Sequence, residues 1–321
     1  MIVLSDSPER LAGFAFAGEG SVVPVASLAR AEAALWRALG TDARVWRGPG
    51  LDPGPAGFWS AATVVAQAPS SQFDALREAL AAGLRLSGPA AGVALSGRGF
   101  HGQRGRPWAA LAGNLHLCAV VPEPGLDARE LPSLPMLPVV ALVDAVVALG
   151  GGSLRPGIKW VNDVLVDGRK VGGVLTASQT QRNRVGSLLF GIGLNVAAVP
   201  PVPPTPFVPR VGSLAGSGAT ATWADAALAV LGALGRRLIT LAREGPGSLL
   251  EAYRAASLVI GREVCIFPDA SDAAGPAAPL ARGTVLGIGA DLSLTIEGLP
   301  APVTSGRLAF AQDCPADPTV R

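Results

Sequence analysis

The chain has 321 residues, which bounds it at about two domains with an ample core for the larger. Its formal net charge of +2 excludes a global pull toward nucleic acid or membrane surfaces, and no basic run of helical length supplies a local one. Hydrophobic residues make up 49% but aromatic ones only 5%, so the core must be built from Val, Leu and Ala rather than from rings.

The N-terminus, MIVLSDSPERLAG, has early acids and lacks a basic start followed by an apolar run, so no targeting segment is expected. The spacing predicts a helix over 28–39, with Ala31, Ala34, Leu35 and Leu39 on one face and Gly40 as its stop. A Gly/Pro-rich run over 48–57 reads as a linker or long turn. A strand over 60–66 and a helix over 72–82 follow, with Phe73, Leu76 and Leu80 on the helix's inner face and Ser70 as its expected N-cap.

A short strand at 92–95 leads into Ser96–Trp108, SGRGFHGQRGRPW, which carries glycines and three arginines without an acid. Glycines let a backbone approach a ligand closely, and guanidinium forks match carboxylate and phosphate oxygens; a solvated turn is the competing reading. A strand runs from Gly113 to Val121, and its His116 has no triad or metal partner in sequence, so no chemistry is assigned to it. The segment 138–149 is a strongly apolar helix, too short for a bilayer and interrupted by Asp144.

The densest cluster of chemistry lies in 156–178, PGIKWVNDVLVDGRKVGGVLTAS. It reads as a β-hairpin with arms 158–166 and 170–176 around Asp167-Gly168, the two-residue turn that such hairpins favour. Alternation places Lys159, Val161 and Asp163 on one face and Trp160, Asn162 and Val164 on the other, unless a bulge intervenes. A Lys-Asn-Asp cluster inside an apolar strand is costly to bury without a polar partner, and a ligand is the partner expected. A strand at 188–192 then runs into Gly191-Ile192-Gly193-Leu194-Asn195.

KWVNDVLVDGRKVGGVLT followed by LLFGIGLNV resembles the signature of the biotin–protein ligases, K-W-P-N-D, a hairpin, K-x-x-G and G-x-G-x-N, with Val161 in place of the usual proline. The resemblance spans about Ser70 to Leu308. It implies an α+β fold, a mixed or antiparallel sheet packed with helices (the class II aminoacyl-tRNA-synthetase-like catalytic fold), plus a small C-terminal SH3-like β-barrel. The implied parts are an N-terminal extension of unknown role at 1–57, a catalytic domain at 58–257 and the barrel at 258–321. Helices over 222–242 and 248–257 precede that barrel, and short strands at 264–267, 283–288, 293–296 and 302–305 fit it independently of the family. The six prolines of 200–209 are expected as an extended surface loop.

The resemblance also implies roles. Ser70, Ser71 and Gln72 stand where the family's Ser-Thr-Asn contacts biotin's ureido ring. Two registers fit the glycine-arginine loop; the ungapped one, counted back from Trp108, adds Gly102, Gln103 and Arg104 to the biotin site and leaves His101 and Gln103 where arginines are usual. Arg104, Arg106, Trp108, Lys159, Asn162, Asp163, Gly191 and Asn195 are the expected ATP contacts. Lys170, Lys159 and Arg104 are the expected catalytic cations, Asp163 the Mg²⁺ ligand. The implied activity is an ATP-dependent ligase that forms biotinyl-5'-AMP and passes biotin to a lysine of a carboxylase's biotin carboxyl carrier domain.

A lipoate or octanoate ligase or transferase of the same fold, or a non-catalytic biotin-sensing regulator, remains the alternative. The N-terminal segment shows one helix and no recognition helix or wing, so DNA binding is not expected; a homodimer is possible for the fold. Cys118, Cys265 and Cys314 are far apart, odd in number and without metal-ligand spacing. They are expected as buried or free thiols, in keeping with a cytoplasmic protein.

Overall fold

The computed structural model describes residues 1–15, 19–40, 42–55, 57–269 and 278–314; the expected 1–57 and 258–321 segments therefore extend beyond the described residues. Fourteen strands and five α-helices are formed among them. The strands are β1 (Ile2–Ser5), β2 (Ser21–Pro24), β3 (Arg44–Pro49), β4 (Ala61–Val65), β5 (Ala90–Ala94), β6 (Leu115–Pro122), β7 (Gly157–Lys159), β8 (Asp163–Val166), β9 (Arg169–Gln181), β10 (Arg184–Leu194), β11 (Glu263–Phe267), β12 (Ala281–Ile288), β13 (Leu294–Ile296) and β14 (Arg307–Phe310). The helices are α1 (Arg30–Leu39), α2 (Gln72–Ala81), α3 (Met136–Leu149), α4 (Trp223–Glu244) and α5 (Gly247–Ala255).

Ten strands form one mixed sheet in the order β2-β3-β1-β4-β5-β6-β10-β9-β8-β7, in which only the β1/β4 and β4/β5 pairs are parallel. The strands of the first 49 residues thus continue the sheet that carries the hairpin, and α1 is the one α-helix among the described residues of 1–57. Period-two alternation sorts each inner strand between two faces. On β6, Leu115, Leu117, Ala119 and Val121 join the large core beneath α3 and α4, whereas Cys118 and Val120 face Leu35 and Leu39 of α1 and Leu76 of α2. On β10, Leu188, Phe190, Ile192 and Leu194 join the large core, which leaves Gly191 and Gly193 to the α2 face. That face carries the site.

One expected helix cap is shifted by a residue. Thr222 and Asp225 form a reciprocal capping box at the start of α4, and Ser71, not Ser70, caps α2 by accepting from the Asp74 amide at 3.3 Å. Ser70 sits one residue outside and is exposed. The first hairpin arm also differs from expectation. It is two strands, β7 and β8, that pair with each other around Trp160-Val161-Asn162, with a cis Trp160–Val161 peptide, rather than one strand over 158–166. The turn is clamped from three sides: Tyr253 Oη donates to Val161 O at 2.8 Å, Trp160 Nε1 to Leu292 O at 2.7 Å and Asn162 Nδ2 to Val174 O at 2.6 Å.

The C-terminal sheet, ordered β13-β12-β11-β14, is the small β unit expected, but its last strand is Arg307–Phe310; at 302–305 only Val303 makes an isolated bridge, to Leu294. Leu308 and Phe310 are the residues that reach the large core there, so burial selects the later segment. The cysteine expectation is corrected as well. Cys265 on β11 and Cys314 form a disulfide, with Cα atoms 6.4 Å apart, because the chain end folds back along β11 after β14 has paired with it. Cys118 alone is a buried free thiol among the described residues, pushed up to about 12 by burial.

Candidate active site

One cavity of about 440 Å³ lies on the α2 face, bounded by the sheet, the start of α2, the glycine-arginine loop, the proline-rich segment and β14. Its floor is set by strand register. His116 pairs with Gly193, Gly193 with Gly173, Gly173 with Asp163 and Asp163 with Lys159, a single row across β6, β10, β9, β8 and β7. Two glycines in that row remove the side chains that would fill the space. A Cβ at Gly193 would lie 2.4 Å from the Trp108 ring, and one at Gly173 would stand 3.5 Å from the Asp163 carboxylate.

Lys170 reaches this row through a bulge. The β8/β9 register pairs Val164 with Gly172 but Leu165 with Lys170, an extra residue that places Lys170 on the same face as Gly173. Its Nζ lies 2.6 Å from Asp163 Oδ1 and 6.0 Å from the Trp108 ring centroid. Lys159 is 4% exposed; its Nζ donates to Phe207 O and stands 5.8 Å from the Phe310 ring. Burial pushes its pKa down to about 8, with Asp163 opposing the shift and Lys170 adding to it.

At the other end, Gln72 is 3% exposed and lines the cavity, with no hydrogen-bond partner for either amide atom. A buried amide with both ends unmade costs on the order of 1–3 kcal/mol per group, so the position is suited to a ligand that both donates and accepts. Phe73, Phe100, Cys118 and Leu175 give this end apolar walls.

The loop over 96–108 folds back on itself: Gly102 N donates to Arg106 O at 2.7 Å and Trp108 N to Phe100 O at 2.9 Å. His101 Nε2 lies 2.5 Å from Asp74 Oδ2 of α2, and Asp74 also meets Arg77 at 2.9 Å. His101 is raised in pKa by the Gly102 carbonyl and then by Asp74. At the tip, Arg104 takes φ 57° and pairs with Asp269 of the C-terminal unit.

Of the residues singled out in the sequence, Ser71, Gln72, Gly102, Gln103, Arg106, Trp108, Lys159, Asn162, Asp163, Lys170, Gly191 and Asn195 line the cavity. Ser70 and Arg104 do not; the first is exposed beyond the cap and the second is turned to Asp269. Asn195, 1% exposed, donates to Gly212 O at 3.0 Å and accepts from Asn114. Asn114 Oδ1 in turn accepts from the amides of Val196, Ala197 and Ala198, so both asparagines shape the turn after β10.

Residues missed by sequence reasoning are Phe207 and its neighbours in the proline-rich segment, Arg307 of β14, and His116, buried at 2% beneath Trp108. His116 accepts from Trp108 Nε1 at 3.3 Å and lies 3.0 Å from Leu111 O; burial lowers its pKa and keeps the ring neutral. Alternation with Cys118 was the available signal for His116; nothing in the sequence marks Phe207 or Arg307.

Among the described residues, Asp163 is the one carboxylate that lines the cavity, and no group of three metal-ligating side chains occurs. One carboxylate oxygen with an adjacent Asn fits a Mg²⁺ shared with a ligand's phosphates, not an ion caged by protein alone. No helix of the described residues is long and apolar enough to cross a membrane.

Residues 85–195 match the model of the biotin/lipoate A/B protein ligase family. The bifunctional ligase/repressor BirA of Bacillus spizizenii is 36% identical over 95 residues, which cover 30% of this chain and 29% of the relative. The biotin--[acetyl-CoA-carboxylase] ligase of Paracoccus denitrificans is 36% identical over 137 residues, 43% of this chain and 55% of the relative. The chain thus matches about half or less of the length of these curated relatives. The biotin protein ligase of Aquifex aeolicus, solved in complex with biotin and ATP, superposes with a TM-score of 0.58 at 21% identity, covering 77% of this chain and 97% of that one. In sequence, residues 85–195 are similar to the biotin/lipoate A/B protein ligase family, and the sheet and C-terminal unit around them have the fold of the biotin protein ligases.

Proposed function

We propose that this protein is an ATP-dependent biotin–protein ligase acting on the carrier domain of a carboxylase. The observation that carries the reading is the meeting of Lys170, Asp163 and Lys159 at one end of a cavity whose other end offers the unpartnered Gln72 amide. A molecule with a ureido-like head, an apolar stem and a terminal carboxylate matches that order of walls. The Aquifex relative binds biotin and ATP, and the Paracoccus relative is named for acetyl-CoA carboxylase.

In this reading a biotin carboxylate oxygen attacks the α-phosphorus of ATP, the bond from α-phosphorus to the bridging oxygen breaks, and pyrophosphate leaves. Two anions must approach, and each repels the other until cations intervene. Lys170, freed from Asp163 as the anions enter, lies between carboxylate and α-phosphate and stabilises charge on the phosphoryl oxygens. Lys159 draws the phosphates toward β7, and Asp163 with Asn162 would hold a Mg²⁺, which would offset their charge. The neutral amine of the acceptor lysine then attacks the acyl carbon; the acyl–phosphate bond breaks, AMP leaves and the amine loses its proton. Gln103 and Arg106 on the folded loop cover the mixed anhydride and exclude water. Arg104, expected as a contact to the intermediate, acts instead by pinning that loop to Asp269.

Isotopic exchange between pyrophosphate and ATP, run with biotin, lipoate and octanoate in turn, tests the reading. Exchange with biotin is expected. Exchange supported only by lipoate or octanoate would reassign the substrate, and none with any of the three would remove the adenylation step.

A further inference from the structure

Beside the cavity, and separated from it by one wall, runs a groove of about 330 Å³. Pro200, Val202, Val208 and Val211 line both spaces, so a molecule in the groove lies against the wall behind which Lys170 works. Among the described residues, the groove's two charged ones are Arg169 and Arg210. Both are exposed, and among the described residues neither takes part in an ion pair. Arg169 immediately precedes Lys170 on β9, and the Lys170 amide donates to Arg210 O at 3.0 Å, so the pair is fixed to the reacting strand by backbone.

The surface is rigid and amphipathic. Lys170 bridges Val211 in parallel fashion, and Gly212 N donates to Lys170 O at 2.9 Å, which holds the segment to β9. Four prolines, Pro200, Pro201, Pro204 and Pro209, restrict the backbone between. Val199 and Val202 stand 51% and 48% exposed at the same place, which is unusual beside two open guanidinium groups. Prolines carry no N–H, so the groove offers few converging amides to a phosphate and is poorly made for pyrophosphate. It suits a polypeptide that sets carboxylates on the two forks and apolar side chains on the valines and prolines; arginine is enriched at such interfaces.

We propose that this groove docks the acceptor protein, through an acidic and partly apolar segment that flanks the acceptor lysine. The proposal rests on the ligase reading and deepens it: the groove selects the partner, the cavity performs the chemistry. Docking there holds the acceptor alongside the cavity in which the anhydride forms.

The test compares wild type with R169E/R210E, and with R169K/R210K as the charge-preserving control, in two assays on the full chain. The first is biotin-dependent pyrophosphate–ATP exchange; the second is biotin transfer to a purified acidic biotin carrier domain. Charge reversal is expected to lower transfer kcat/KM by about tenfold or more, mainly through KM, and to abolish its decline with added salt, while exchange stays within about twofold. The lysine control should retain most of the transfer. Unchanged transfer in R169E/R210E would overturn the proposal, as would a parallel loss of exchange, which would assign the groove to the nucleotide. If wild type shows no exchange, the ligase reading fails by itself. Anisotropy of a labelled carrier domain then still decides the groove, since equal binding by wild type and the charge-reversed protein would dismiss it.

Discussion

Lys159 is a charged amine placed opposite Asp163 in a nearly closed position, and the two influences do not balance: burial brings its pKa down to about 8. The sign of the consequence is definite. The unfolded chain keeps this proton up to about 10.5. Between about pH 8 and 10.5 the unfolded state therefore binds more protons, and the cost of burying this amine is relieved as pH rises through that window. In the proposed reaction Lys159 meets the phosphates as a protonated amine, so ATP affinity measured without biotin should fall about tenfold from pH 7 to pH 9, as the charged fraction drops to roughly a tenth. Calorimetric titration would show this, and Lys159→Arg should flatten it; an equal slope in that variant would place the ionisation elsewhere. Lys170→Ala should lower exchange by about 10²–10³, the scale for one well-placed electrostatic donor, and near-normal exchange would dismiss its role. These residues were legible because polar groups inside an apolar hairpin have few cheap explanations. Arg104 was not, because a side chain at a loop tip points where its own φ sends it, and at 57° that is toward Asp269.

The glycine-arginine loop is held as a strap, with His101 fastened to Asp74 on α2 and Arg104 to Asp269 on the C-terminal unit. In sequence the loop's glycines and arginines marked it as a candidate ligand contact. The fastenings were invisible because Asp74 and Asp269 are 27 and 165 residues from their partners in sequence, a relation only the fold supplies. The His101 pKa is raised, so the clasp is present in full below the ordinary histidine range and is lost as pH climbs through the elevated folded value. His101→Ala should therefore speed tryptic cleavage after Arg104 at pH 6 and change it little at pH 9, which a timed digest followed by mass spectrometry would read. The same rate in both proteins at pH 6 would contradict the clasp. The hairpin teaches the matching lesson for strands. Its Asp167-Gly168 turn was read correctly, but the break at 160–162 and the bulge before Gly173 were not, because alternation alone assumes an unbroken pleat.

At the scale of the whole molecule, the site depends on parts that carry no motif. β1, β2 and β3 extend the sheet from the N-terminal side, α3 and α4 back it, and the C-terminal sheet closes the cavity with Gly306, Arg307 and Leu308. The fold class followed from patterning and resemblance, whereas the seating of the ends required long-range pairing that local sequence does not encode. The Cys265–Cys314 bond is the clearest instance. Widely spaced cysteines gave no reason to pair them, yet β14 beside β11 returns the chain end to Cys265, and Phe207, whose carbonyl receives Lys159, packs in the same cluster. A cross-link spanning 49 residues stabilises chiefly by restricting the unfolded chain, by about 4 kcal/mol on the loop-entropy model. Cys314→Ser should therefore lower unfolding stability by roughly 2–4 kcal/mol in non-reducing urea titrations. Wild type titrated with dithiothreitol should fall to the level of the variant, because reduction removes the same constraint. If the two proteins unfold at the same urea concentration without reductant, and thiol titration finds Cys265 free in the native wild type, the bond does not form under those conditions and β14 alone holds the end of the chain.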